Sequence, residues 1–185
     1  MSKKHLLVLD FDGVVNGLGG SQNFPHEFQS CILACRGKEY AISYRLELIQ
    51  KINELSQRND VDVIWLTTWV EYTENFTQLG LARFPYLSPL EQLDDVTVRH
   101  GYIWKSEALV DYLKHHDGEY EKVVWCDDDY KVFDWLPIKE ENFITITPNP
   151  YFGLLNKQVD MITRFFNDEP LYEPPTGDRV VNNDF

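Results

Sequence analysis

Residues 6–13, Leu-Leu-Val-Leu-Asp-Phe-Asp-Gly, constrain this chain more than any other stretch. Four apolar residues without polar alternation read as a strand buried on both faces, the habit of parallel sheets. Gly13 ends it. Residues two apart in a strand point to the same side, so Asp10 and Asp12 are expected to converge where the strand stops. Open parallel sheets bind their ligands there, beyond the carboxyl ends of the strands. Two carboxylates at about 4 Å, in an effective dielectric near 20, repel by roughly 4 kcal/mol. A divalent cation, a shared proton or a basic partner must offset that repulsion. The plainer alternative is a strand-end turn, where Asp and Gly are common for backbone reasons.

The rest of the chain alternates buried strands with amphipathic helices. Residues 14–30, with Gly17, Gly19 and Gly20, read as a loop that carries no phosphate-binding fingerprint and no P-loop lysine. Residues 31–43 read as a β-hairpin around Arg36-Gly-Lys38, a flap inserted just after the first strand. No further Cys or His cluster joins Cys31 and Cys35, which argues against zinc. Leu46, Ile49, Ile52 and Leu55 recur at spacings of three, predicting a helix over 44–57 with Ser43 as its N-cap. A strand over 61–66 then ends at Thr67-Thr68-Trp69. Strand, helix and strand in that order make a parallel crossover, which sets Thr67 beside Asp10.

A helix over 70–84 is stopped by Pro85 and Pro89. A brief β-like run over 96–98 follows, then Lys105 and a helix over 106–116. A third buried strand, 122–126, ends in Asp127-Asp128-Asp129, and a fourth spans 143–146. The last helix covers about 154–167. Residues 1–168 are expected to form a single catalytic domain, and 169–185, with Pro174, Pro175 and Gly177, an extended tail.

Composition narrows the function classes. The 185 residues, 43% apolar and 14% aromatic, suffice for one packed domain. Seventeen basic residues against 30 acidic ones leave a net charge of −13, so a broad basic surface for gripping a duplex is missing. A nucleic-acid end as substrate stays open. The apolar runs are too short for a membrane span. Cys31, Cys35 and Cys126 make no disulfide framework, and Met-Ser-Lys-Lys-His leads straight into the first strand without a secretory signal. Cytoplasmic residence is the expectation. Oligomeric state is not legible.

Three strand ends thus carry Asp10 with Asp12, Thr67, and Asp127 with Asp128, while Lys105 precedes the third. In that order and spacing the chain resembles the haloacid dehalogenase (HAD) superfamily. Its four motifs are a strand ending in Asp-x-Asp, a strand ending in Thr or Ser, a lysine, and a strand ending in acidic residues. Leu9-Asp-Phe-Asp-Gly-Val-Val-Asn16 with Trp65-Leu-Thr-Thr-Trp69 is most similar to the HAD domain of Swiss Army Knife RNA-repair proteins.

The resemblance implies an α/β, Rossmann-like fold: a central, mostly parallel sheet with helices on both faces, capless or with a small hairpin flap. It also implies a phosphatase working through an aspartyl-phosphate. Asp10 is then the nucleophile, and Asp12 the acid and base for the leaving oxygen and the attacking water. Thr67 donates to phosphate oxygens, with Thr68 as its substitute or assistant. Lys105 offsets negative charge, with Lys114 and Lys122 as competitors for that role. Asp10, the Asp12 carbonyl, Asp127 and Asp128 hold Mg²⁺, and Asp129 is either a ligand or a solvated neighbour. Oxygen-only ligands and a phosphate substrate suit Mg²⁺. An acid at Asp12 points to phosphoryl chemistry, since the family's dehalogenases lack one there and its transport ATPases carry threonine.

Trp65, Trp69, Trp104 and Trp125 flank the motifs, either as core or, for Trp69 above all, as a stacking surface for a base. The substrate expected is a nucleotide or a nucleic-acid terminal phosphate. The alternatives are a small metabolite phosphate, or an idle binding module on the same fold. Transfer of phosphate to an acceptor other than water stays open.

Overall fold

The structure, a computed structural model, describes residues 3–24, 26–89, 103–129 and 137–171. Strand β1, Lys4–Leu9, is the axis of the fold. It pairs in parallel with β4, Val61–Trp65, on one side and with β5, Tyr120–Cys126, on the other. A fourth parallel strand, β6, Phe143–Ile146, extends the sheet to the order β4-β1-β5-β6. The hairpin is a separate antiparallel pair, β2, Gln29–Cys35, and β3, Lys38–Tyr44.

The alternation of β1 side chains assigns the two faces. Leu6 and Val8 pack with Leu109 and Leu113 of helix α3, Ile103–His115, and with Trp104 and Trp125. Leu7 and Leu9 face the other way. There they meet Leu48, Ile49 and Ile52 of α2, Leu46–Ser56, and Val159, Ile162 and Phe166 of α4, Asn156–Phe166. All four β1 side chains are at most 1% exposed. Each such leucine contributes about 1.5–3 kcal/mol by leaving water. The fold is therefore α/β and Rossmann-like, a four-stranded parallel sheet with helices on both faces and a small antiparallel hairpin. Among the described residues no helix is long and apolar enough to cross a membrane.

Register brings the strand ends level. Leu9 stands opposite both Trp65 and Cys126. Beyond it the ladder continues, with Leu66 N donating to Leu9 O at 2.8 Å, Asp10 N to Cys126 O at 2.9 Å and Asp127 N to Ile146 O at 3.1 Å. Asp10, Thr67 and Asp127 thus leave the sheet at one edge.

Several boundaries differ from the sequence reading. The hairpin runs from 29 to 44, so Ser43 lies in β3 and is no N-cap; its hydroxyl meets Ser21 Oγ at 2.7 Å. Helix α2 begins after Arg45, without a side-chain cap. The loop after β1 contains one helical turn, α1, Gly20–Asn23. The segment Val70–Leu79 is a 3-10 helix rather than an α-helix, ended by Gly80 at φ 90°. Its Thr, Asn, Tyr and Phe content gives weak α propensity. Helix α3 starts before Lys105, placing that lysine in its first turn. Trp65, Trp104 and Trp125 are core side chains, each 1% exposed. The run over 96–98 and tail residues 172–185 lie outside the described residues.

Candidate active site

Asp10 follows β1 directly and is 6% exposed. Its Oδ1 accepts from Phe11 N at 2.6 Å and its Oδ2 from Lys105 Nζ at 2.6 Å. Lys105, 1% exposed, reaches Asp127 Oδ2 at 2.7 Å as well. Asp127 is fully buried, and its Oδ1 accepts from Asp129 N at 3.0 Å. Lys114 is exposed on α3. Lys122 is engaged with Phe165 O and with Asp168 Oδ1 at 2.5 Å, on α4 and just past it.

Gly13 ties the first motif to the fourth. Its φ is +71°, and a Cβ there would collide with the Asp128 carboxyl, whose own Cβ would be 2.8 Å away. Only glycine takes that backbone conformation freely, and only glycine lets Asp128 lie so close. One oxygen each from Asp10, Asp127 and Asp128 fall within 4.8 Å of one another.

Electrostatics leaves this cluster short of positive charge. Burial pushes the Asp10 carboxyl up to about 7, with Lys105 opposing and Asp127 reinforcing the shift. Burial, then the Asp127 charge, raises Asp128. Burial works against the charge of Lys105, but Asp10 and Asp127 outweigh it and its pKa rises. Among the described residues, these three carboxylates share the one Lys105 ammonium. An oxygen-only donor set with surplus negative charge fits a hard divalent cation. Among the described residues, this cluster could hold a metal ion, whereas Cys31 and Cys35 belong to no such group.

Asp12 is held elsewhere. Its Oδ1 accepts from Asn16 Nδ2 at 2.7 Å and its Oδ2 from Trp69 Nε1 at 2.9 Å. Residues 11–16 form a tight turn, with Val15 N and Asn16 N both donating to Phe11 O at 2.9 Å. The repulsion expected between Asp10 and Asp12 is thus met by separate partners, a lysine for one and two neutral donors for the other.

Thr67 follows β4, is 1% exposed, and accepts at 3.4 Å from Trp69 N. Thr68 is half-buried, and its carbonyl accepts from Arg36 Nη2 at 3.0 Å. Trp69 is 4% exposed, ringed by Phe11, Phe76 and Tyr40 at centroid distances of 5.2, 5.4 and 5.5 Å. Its indole faces an internal carboxylate and aromatic neighbours, not an open stacking surface. The sequence reading did not single out Asn16 as a contact of Asp12. The tight turn over 11–16 is what folds Asn16 back onto Asp12.

Residues 6–159 match the family described as the HAD domain in Swiss Army Knife RNA repair proteins. No curated protein and no solved structure matches the chain. That match covers the parallel sheet from Leu6 of β1 onward and all the motif residues above, so the chain belongs to the HAD domain family of Swiss Army Knife RNA repair proteins, with a phosphohydrolase-type function.

Proposed function

We propose that the protein is a Mg²⁺-dependent phosphatase that works through an aspartyl-phosphate on Asp10. The observation that carries this reading is the buried Asp10–Lys105–Asp127 ion cluster with Asp128 beside it. A carboxylate is a weak nucleophile, so positioning and charge neutralisation do most of the work. Phe11 N–H and Lys105 fix the two Asp10 oxygens. An Asp10 oxygen attacks phosphorus, the bond to the leaving oxygen breaks, and Asp12 gives that oxygen its proton. Water then attacks the phosphoryl group, Asp12 takes the water's proton, and the bond to Asp10 breaks to release inorganic phosphate. Thr67, with Thr68, donates to the phosphoryl oxygens, and Lys105 neutralises the charge gathered there. Asp10, Asp127, Asp128 and the Asp12 carbonyl would hold Mg²⁺, which when bound neutralises carboxylate and phosphate charge.

The family's description supports a nucleotide or nucleic-acid end as substrate. The net charge of −13 favours a terminal phosphate over long contacts along a strand. The hairpin serves as a wall of the site, since Arg36 bonds Thr68 O, Tyr40 rests on Trp69, and Asn75 Nδ2 bonds Ala34 O at 2.7 Å. The thiols Cys31, Cys35 and Cys126 are free, which suits the cytoplasm.

Phosphate release from a panel tests the reading. The panel holds mononucleotides, 5′- and 3′-phosphorylated oligonucleotides, sugar phosphates and a phosphopeptide, with Mg²⁺ or with EDTA. Turnover of a nucleotide or an oligonucleotide end in Mg²⁺, lost in EDTA and lost in Asp10→Asn, is the expected result. Turnover of small non-nucleotide phosphates alone contradicts the substrate class. Full activity in EDTA contradicts the metal, and full activity of Asp10→Asn contradicts the nucleophile.

A further inference from the structure

Asp10 and Asp127 bond the Lys105 ammonium, whereas the side-chain donors to Asp12 are both neutral. Each of its oxygens accepts instead from a neutral, buried donor, Asn16 Nδ2 at 2.7 Å and Trp69 Nε1 at 2.9 Å, both residues 4% exposed. We infer that Asn16 and Trp69 are positioning residues that hold the Asp12 carboxyl in place for proton transfer to the leaving oxygen, and that strand β3 of the hairpin braces both. The inference rests on the phosphatase reading above.

The bracing has two arms. Ser43 N, in β3, donates to Asn16 Oδ1 at 2.9 Å. A backbone N–H can only donate, so the amide oxygen must face Ser43 and the amide nitrogen must face Asp12. That contact fixes the flip of Asn16. Three residues back in β3, the Tyr40 ring meets Trp69 edge-on at 5.5 Å, and Phe11 and Phe76 close on the same indole at 5.2 and 5.4 Å. The indole therefore has little freedom to swing its N–H off Asp12. An indole N–H has no acceptor role, so its only polar use here is to point the carboxylate.

With one donor on each oxygen, each Asp12 oxygen keeps a lone pair for a proton. In the first half-reaction that proton passes to the leaving oxygen as the phosphorus–oxygen bond breaks. In the second it is regained from the attacking water, so Asp12 ends unchanged. Misplacement of this carboxyl costs most when the leaving oxygen cannot depart without a proton. An alkoxide needs that proton, whereas a nitrophenolate leaves readily without it.

The test compares turnover of an alkyl phosphate and of p-nitrophenyl phosphate in wild type, Trp69→Phe and Asn16→Asp. Trp69→Phe keeps an aromatic ring and removes the N–H. Asn16→Asp keeps the acceptor for Ser43 and replaces the donor to Asp12 with a repelling oxygen. General acid–base catalysis contributes about 10²–10⁴-fold, so each variant should lose roughly ten times or more turnover on the alkyl ester than on the aryl ester. The split should appear in kcat rather than in KM. Equal losses on the two esters, or no loss, overturn the positioning role while leaving the phosphatase reading intact. Absence of turnover by wild type on both esters overturns the phosphatase reading and this inference with it. Asn16→Asp acts through a separate donor, so the inference stands to be refuted even where Trp69→Phe fails to fold.

Discussion

Lys105 sits 1% exposed between two buried carboxylates, so its removal strands both. Breaking a buried pair from one side typically costs about 3–5 kcal/mol, because the remaining charge has no partner. Lys105→Met is therefore expected to lose that much stability as well as turnover, measured by urea denaturation beside phosphate release. An unchanged denaturation midpoint would show that the cluster is solvated and not a buried ion network. The placement of Asp10, Thr67 and Asp127 at strand ends and of Lys105 near a helix start was legible in the sequence, because local pattern places element ends. The bond from Trp69 to Asp12 was not legible. It spans 57 positions, and nothing local distinguishes an indole packed in the core from one that also directs its N–H at a carboxylate.

At the scale of elements, the hairpin is more deeply committed to the fold than a loose flap. Its turn is a two-residue loop, Arg36 at φ 50° and Gly37 at φ 71°, the left-handed pair of a type I′ turn that matches strand twist. Leu33, Cys35 and Ile42 are buried in the same core as Leu7, Leu9 and Phe11. Leu33→Ala should cost about 2–5 kcal/mol, the range for truncating a leucine in a packed core. A melting temperature unchanged in that variant would mean that the hairpin lifts freely away from the sheet. The strands and the hairpin could be read from apolar runs and turn residues. The 3-10 course of Val70–Leu79 could not, since apolar spacings of three fit a 3-10 helix as well as an α-helix and only hydrogen bonding separates them.

Across the whole molecule, His5 links the sheet, the last helix and solution pH. It stacks on Phe166 at 4.9 Å, is 6% exposed, and its Nδ1 finds no hydrogen-bond partner among the described residues. Burial lowers its pKa below 6.5, with Lys122 and Arg58 pushing the same way and Asp60 and Glu121 opposing. Below that unfolded value the unfolded chain binds a proton that the native protein refuses. The stability linked to His5 is therefore complete above the unfolded pKa and is lost as pH falls below it. Melting temperature should drop on acidification through this window, and His5→Phe should flatten that part of the profile. An identical slope in the variant would assign the acid loss to other groups. The parallel order of the sheet was legible from strand–helix–strand succession, whereas this contact between the first strand and the last helix was not, because it depends on packing far apart in sequence.

The central claim is that Asp10 carries the phosphoryl group in the course of the reaction. The direct measurement is to mix the protein with Mg²⁺ and a phosphate ester that it turns over, quench in acid within a turnover, and map the phosphoryl group by mass spectrometry. A phosphoryl group on the peptide containing Asp10, absent from Asp10→Asn, is the predicted result. Released phosphate with no label on that peptide at any quench time, or label on another residue, would contradict it.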